Sequence, residues 1–124
     1  MAGFLTTYGA TAALNGTAMP TTWYAKGHLD DPGPAATLHP AVETRRLTVI
    51  MATAVDGVAL NAARVALGGG AAATEDWTYI TLWDNLTAGN PWWVVPLDTA
   101  LVITAGNALY IPLGSLSLEL VRWV

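Results

Sequence analysis

The feature that most constrains this chain is a train of short β-forming runs in its second half, each closed by a turn signal. The run Trp77-Thr78-Tyr79-Ile80-Thr81-Leu82-Trp83 places large residues on both faces of an extended segment. Asp84 to Pro91 then reads as a hairpin-type connection into Trp92-Trp93-Val94-Val95, and Pro96 marks an edge or a strand end. Leu101-Val102-Ile103 and Leu109-Tyr110-Ile111 flank the turn signal Ala105-Gly106-Asn107. Leu116, Leu118 and Leu120 alternate with Ser117 and Glu119, a period of two with one buried face. Short strands at regular spacing argue for an antiparallel sandwich or a barrel-like domain.

The first half is less regular. Leu5, Tyr8, Ala12 and Leu14 recur at helical spacing, with Thr6 or Thr7 to cap the start and Asn15-Gly16 to stop it. Gly9 and the threonines weaken that helix. Thr22 to Lys26 is compatible with a strand, and Asp30-Asp31-Pro32-Gly33-Pro34 can only be turn or loop. The loop runs through His39-Pro40 to about Val42, long enough to suggest a function or a partner. Arg45 to Thr53 is rich in β-formers, Asp56-Gly57 marks a turn, and Gly68-Gly69-Gly70 ends the next segment. In that segment, 58–67, the alanines favour helix, but alternating Val58, Leu60 and Ala62 followed by Val65 and Leu67 fit a strand with a bulge. The expectation is one domain over 1–124, with a helix or arm at 1–20 and a β domain at 21–124. Its strands are expected at 22–28, 45–53, 58–67, 77–84, 92–96, 101–104, 108–112 and 116–123.

Charge decides what such a domain meets. Charged residues are 11 % of the chain and apolar ones 53 %, against about 25 % charged in a typical soluble domain. Much of a surface this poor in charge is expected to face protein rather than water, the alternative being an ordinary β domain with an alanine-rich, neutral surface. With a net charge of −4 and one adjacent basic pair, Arg45-Arg46, the chain lacks the basic patch of a nucleic-acid binder. No apolar run reaches the roughly 18 residues of a membrane span, and Met1 to Leu5 has no basic lead into a secretory signal. The chain therefore reads as made in the cytoplasm, unprocessed, and bound to neither nucleic acid nor membrane.

Chemistry-bearing patterns are sparse. There is no cysteine for a thiolate or a disulfide, and two histidines are a poor supply for a metal centre. Gly68-Gly69-Gly70 lacks the lysine and hydroxyl of a phosphate loop. His28 with Asp30-Asp31 borders a Pro-Gly loop and reads as solvated loop before cation site. Glu75-Asp76 and Asp30-Asp31 are sequence neighbours with nothing to split their pKa values for acid–base work. The sequons at Asn15 and Asn85 are chance matches without a secretory signal. No enzyme activity, metal or cofactor is expected.

The six tryptophans remain. Aromatic platforms bind sugars or single strands, but the polar residues that would fix such a ligand are scarce. If extended, Trp92 and Trp93 point to opposite faces, one to the core and the other either exposed or, as the favoured reading, buried by a partner. The candidate interface is thus Trp23, Trp77, Trp83, Trp92, Trp93 and Trp123, with Pro32, Pro34 and Pro40 of the loop.

Several patterns run in a recognisable order: Thr7 to Leu14, Gly27-His28-Leu29-Asp30-Asp31-Pro32-Gly33, Asp76-Trp77-Thr78-Tyr79-Ile80, Leu82-Trp83-Asp84, Gly89-Asn90 before Trp93, and Gly106 to Leu118. The chain resembles a family of small virion proteins of actinobacterial and other tailed phages, often labelled tail-fibre or head-fibre/decoration proteins. The resemblance implies a non-enzymatic structural protein, with a capsid decoration protein as the first expectation. It would act as a homotrimer on the major capsid protein at the virion surface. A tail-fibre, minor tail or baseplate component is the second reading, and a host-glycan-binding module the third.

Overall fold

A computed structural model describes residues 1–67, 74–104 and 109–120. In chain order the elements are β1 (Ala2–Leu5), α1 (Thr7–Leu14), β2 (Thr22–His28), β3 (Leu47–Ile50), β4 (Val58–Leu60), β5 (Val65–Leu67), β6 (Glu75–Trp83), β7 (Pro91–Ile103), β8 (Leu109–Ile111) and β9 (Ser117–Glu119). The protein is mainly β with one short N-terminal helix. A seven-stranded sheet of order β3-β2-β6-β7-β1-β9-β4 carries the fold, and β5 and β8 pair separately. Pairing is antiparallel except for β1 beside β9. The sheet curls until its two edges meet. Ala52 N–H donates to Leu60 C=O and Ala62 N–H to Ile50 C=O, both at 2.8 Å, around an isolated Met51–Asn61 bridge. The result is a half-barrel tied at one point, not a sandwich.

Register explains which side is core. Leu47, Ala25, Leu82, Trp93 and Leu5 are successive partners across the sheet, as are Gly27, Ile80 and Val95. Partners in register share a face, so these rows form the inner wall, continued by Trp23, Val49 and Leu118. Here Gly27 is needed for close approach: a Cβ on it would sit 2.3 Å from the buried Trp77 indole.

The helix forms because Thr6 caps it, its hydroxyl accepting from the Gly9 amide at 2.9 Å. The same hydroxyl donates to Pro91 C=O, and the Thr6 amide donates to Trp92 C=O. One cap thus holds α1 against β7. Gly9, poor for helix propensity, is required by this docking, since a Cβ there would lie 2.4 Å from the Trp92 carbonyl oxygen.

Four strand assignments from sequence need correction. The segment expected as one strand over 58–67 splits into β4 and β5, which lie in different sheets. The break is at buried Asn61, whose amide donates to Ala63 C=O and Pro112 C=O while its oxygen accepts from Leu116 N–H. The spans 92–96 and 101–104 are one strand, with Pro96 inside it. Its missing N–H is tolerated because the β6–β7 register jumps there, from Tyr79↔Pro96 to Trp77↔Leu101. The N-terminal arm contributes β1, whose pairing is wholly non-local and left no mark in so short a run. The expected strand 45–53 shrinks to β3. The turn at Ala105-Gly106-Asn107, Gly68-Gly69-Gly70 and the end of the 116–123 span lie outside the described residues.

Replacing glycine by alanine inside a helix normally stabilises it by about 1 kcal/mol. Gly9→Ala is expected to do the opposite, lowering stability by about 1–3 kcal/mol through the clash with β7. Urea denaturation measures it, and a raised midpoint would contradict the docking geometry.

Candidate interaction surface

The tryptophans named as interface candidates are mostly core. Trp23, Trp77, Trp92 and Trp93 are each no more than 1 % exposed within this single chain. The expectation that Trp92 and Trp93 point to opposite faces fails at a β-bulge. Leu82 pairs with Trp93 but Trp83 pairs with Pro91, leaving Trp92 as an extra residue on β7. Two residues then oppose one, the alternation is lost, and both indoles turn inward. Trp92 meets Trp23 and Tyr8 edge-on, with ring centroids 5.7 Å apart in each case. Trp123 lies outside the described residues.

Trp83 alone among the described tryptophans keeps a partly exposed ring. It faces outward, with the Arg46 guanidinium 4.0 Å above its ring centroid and the Lys26 ammonium 6.0 Å away. Arg46 also donates to Asn85 C=O and Ala88 C=O, so one side chain covers the indole and ties down the β6–β7 connection.

The long loop is ordered against its own barrel. Leu29 N–H donates to His39 C=O, Leu38 N–H to Pro32 C=O, and Ala41 N–H to Gly27 C=O. Pro34 C=O accepts from the Thr7 amide, which joins the loop to the start of α1. Glu75 holds the loop's far end, its carboxylate accepting from the Val42 and Glu43 amides and from the Trp77 indole. Burial pushes that carboxyl up, and these hydrogen bonds outweigh it, leaving its pKa below the usual value. Pro32 is buried, whereas Pro34 and Pro40 are exposed. His28 is fully buried, not solvated as expected, and bonds the loop through Leu38 C=O. No cluster of metal-ligating side chains occurs among the described residues.

Concavities and a scatter of exposed apolar side chains mark the surface of the described residues. A recess of about 520 Å³ opens at one end of the half-barrel, lined by Met19, Trp23, Met51, Ala59, Trp93 and Leu118. On the outer face a cleft of about 370 Å³ lies between Phe4, Tyr79, Val94 and Pro96 on the strands and Asp31 and Pro34 on the loop. Phe4 stands 64 % exposed beside it, and Leu38, Val42, Ile50 and Leu113 are more than half exposed elsewhere. Sequence reasoning missed Phe4 because β1 itself was missed. The signal that finds it is register: Phe4 pairs with Val94, one step out of the inward row.

With this geometry, the chain can be set beside known proteins. The family model described as podophage GP4 fiber I protein gp80 matches residues 5–119. The chain belongs to this family. The match runs from the end of β1 to the end of β9 and so spans nearly the whole half-barrel. A comparison with curated proteins finds no match. Membership makes this a phage fibre-type protein, in keeping with a structural part of a virion. Among the described residues no helix is long and apolar enough to cross a membrane.

Because Trp92 and Trp93 are core residues, Trp92→Ala and Trp93→Ala should each lower the chain's own folding stability by about 3–5 kcal/mol. Chemical denaturation of the isolated chain tests this. An unchanged midpoint with a defect confined to assembly would return these residues to the interface.

Proposed function

We propose that this chain is a non-enzymatic structural subunit of a phage fibre assembly. It would join copies of itself and neighbouring virion proteins through the outer face of its half-barrel. The observation that carries this is the outer surface itself: large apolar side chains, Phe4 among them, stand exposed on a chain with 11 % charged residues. Apolar surface removed from water contributes roughly 25 cal/mol per Å². With few charges to orient a partner, contact area is the stabilising term left to such a protein.

The family description supports the fibre reading, with capsid decoration as the alternative. A homotrimer is one assembly compatible with this surface. The glycan-binding reading relied on a tryptophan platform, and its proposed members Trp92 and Trp93 are buried in the core.

Electron microscopy of particles carrying an antibody-labelled copy tests the placement: label on the fibres is expected, and label on the capsid shell alone would overturn the fibre reading. Phe4→Ser tests the surface. It should change folding stability by less than about 0.5 kcal/mol yet weaken self-association by about 2 kcal/mol, roughly thirtyfold. Analytical ultracentrifugation measures the association. The parent's association should survive about 1 M salt, because screening removes only charge-driven contacts.

A further inference from the structure

His28 is the one buried histidine, and both its ring nitrogens are engaged. Nδ1 lies 2.8 Å from Leu38 C=O, and Nε2 lies 2.9 Å from the Thr81 hydroxyl. A carbonyl only accepts, so Nδ1 carries the proton and the neutral ring's Nε2 accepts from Thr81. Thr81 Oγ1 in turn accepts from the Trp83 indole N–H at 2.8 Å. Three donors therefore run one way, from Trp83 through Thr81 and His28 to the loop carbonyl. His28 and Thr81 are both 0 % exposed.

Protonating His28 reverses one link. Nε2 becomes a donor, so Thr81 Oγ1 faces donors on two sides and its own proton loses its acceptor in a site closed to water. The charged groups around the ring add to this: Lys26 on β2 and His39 on the loop both oppose a positive charge. From β6 the neighbours are Thr81 and, opposite in register, Tyr79. Burial is the largest influence lowering the His28 pKa, with Lys26 and His39 adding to it against the Leu38 hydrogen bond. The segment latched here also holds strain. Ala36 and His39 have φ of 57° and 49°, the left-handed region that side chains disfavour.

We propose that the Trp83–Thr81–His28 relay is an acid-released latch, which holds the loop 29–40 on the barrel when His28 is neutral and lets it go when His28 is protonated. In the released loop His28 titrates near its ordinary value of about 6.5. The docked form resists the proton, so its stability is complete above that pH and declines as pH falls toward the lower docked value. Over that window the opening equilibrium constant rises by up to about tenfold per pH unit.

Hydrogen exchange on the intact chain tests this between pH 7.5 and 4.5, with intrinsic rates divided out. The Leu29, Leu38 and Ala41 amides should lose protection by about tenfold per unit below about 6.5, while the Ala62 amide at the barrel seam keeps its own. Equal loss at Ala62 would mean global acid unfolding and would overturn the latch, as would flat protection at the loop. In His28→Gln the pH response should vanish. In His39→Asn, where asparagine tolerates the left-handed backbone, it should persist; the reverse pattern would overturn the assignment. Should His28→Gln fail to fold, the imidazole nitrogen shifts of the parent chain decide: an Nδ1–H tautomer at neutral pH is expected, and an Nε2–H tautomer would break the relay.

Discussion

One extra residue in a strand organises this fold. Without the bulge at Trp92, strict alternation would put one of two adjacent indoles outside the barrel. With it, both enter the core, and Trp92 packs edge-on against Trp23. Each buried indole removes on the order of 200 Å² from water, an upper-bound contribution of roughly 5 kcal/mol. Beside the bulge, the carbonyls of Pro91 and Trp92 need donors. Thr6 supplies two, from its hydroxyl and its amide. The helix cap is therefore fixed beside the bulge. The residues just before the cap are then aimed between β7 and β9, where they become β1.

What could be read from sequence was local. The 22–28 strand, the helix start at Thr6 and its stop near Asn15, and the mainly β class all follow from period, caps and turn residues. What could not be read depends on partners far along the chain. Gly9 weakens a helix until the Trp92 carbonyl above it is known, and Pro96 looks like a strand end until the register jump beside it is seen. Asn61 looks like one more polar position, yet its side chain satisfies three backbone groups and separates two sheets. The tryptophans misled for the same reason. Adjacent aromatic residues imply two faces only if the ladder is regular, and bulges carry no reliable sequence mark.

Scarcity of charge has a structural counterpart. The few polar side chains inside or beneath loops each satisfy several backbone groups, as Asn61, Glu75 and Thr6 do. This is how a chain with little charge keeps long irregular connections ordered, since each carbonyl or amide taken from water needs a replacement partner. Burying such a multi-bonded group makes its protonation state matter. His28 is the clearest instance: its ring closes a one-way chain of donors that only the neutral form completes. The length of the loop it holds suggests a partner, and its backbone is satisfied by its own barrel. Any neighbour therefore meets an already folded loop and loses little entropy in docking on it.

The tie between Met51 and Asn61 also bears on the edges of the sheet. An open sheet offers two unpaired edges, and strand addition is the usual hazard or device of such proteins. Here the edges β3 and β4 are bonded to each other through Ile50–Ala52 and Leu60–Ala62, and the separate β5–β8 pair has strands of only three residues. Around that bridge the two edges satisfy each other and are closed to a partner strand. On the outer wall, alternation directs Phe4 and Ile50 outward while Leu5 and Val49 face in. The alternation that builds the core thus also sets which side chains the outer wall presents. Phe4 and Ile50 stand there one register step from buried positions.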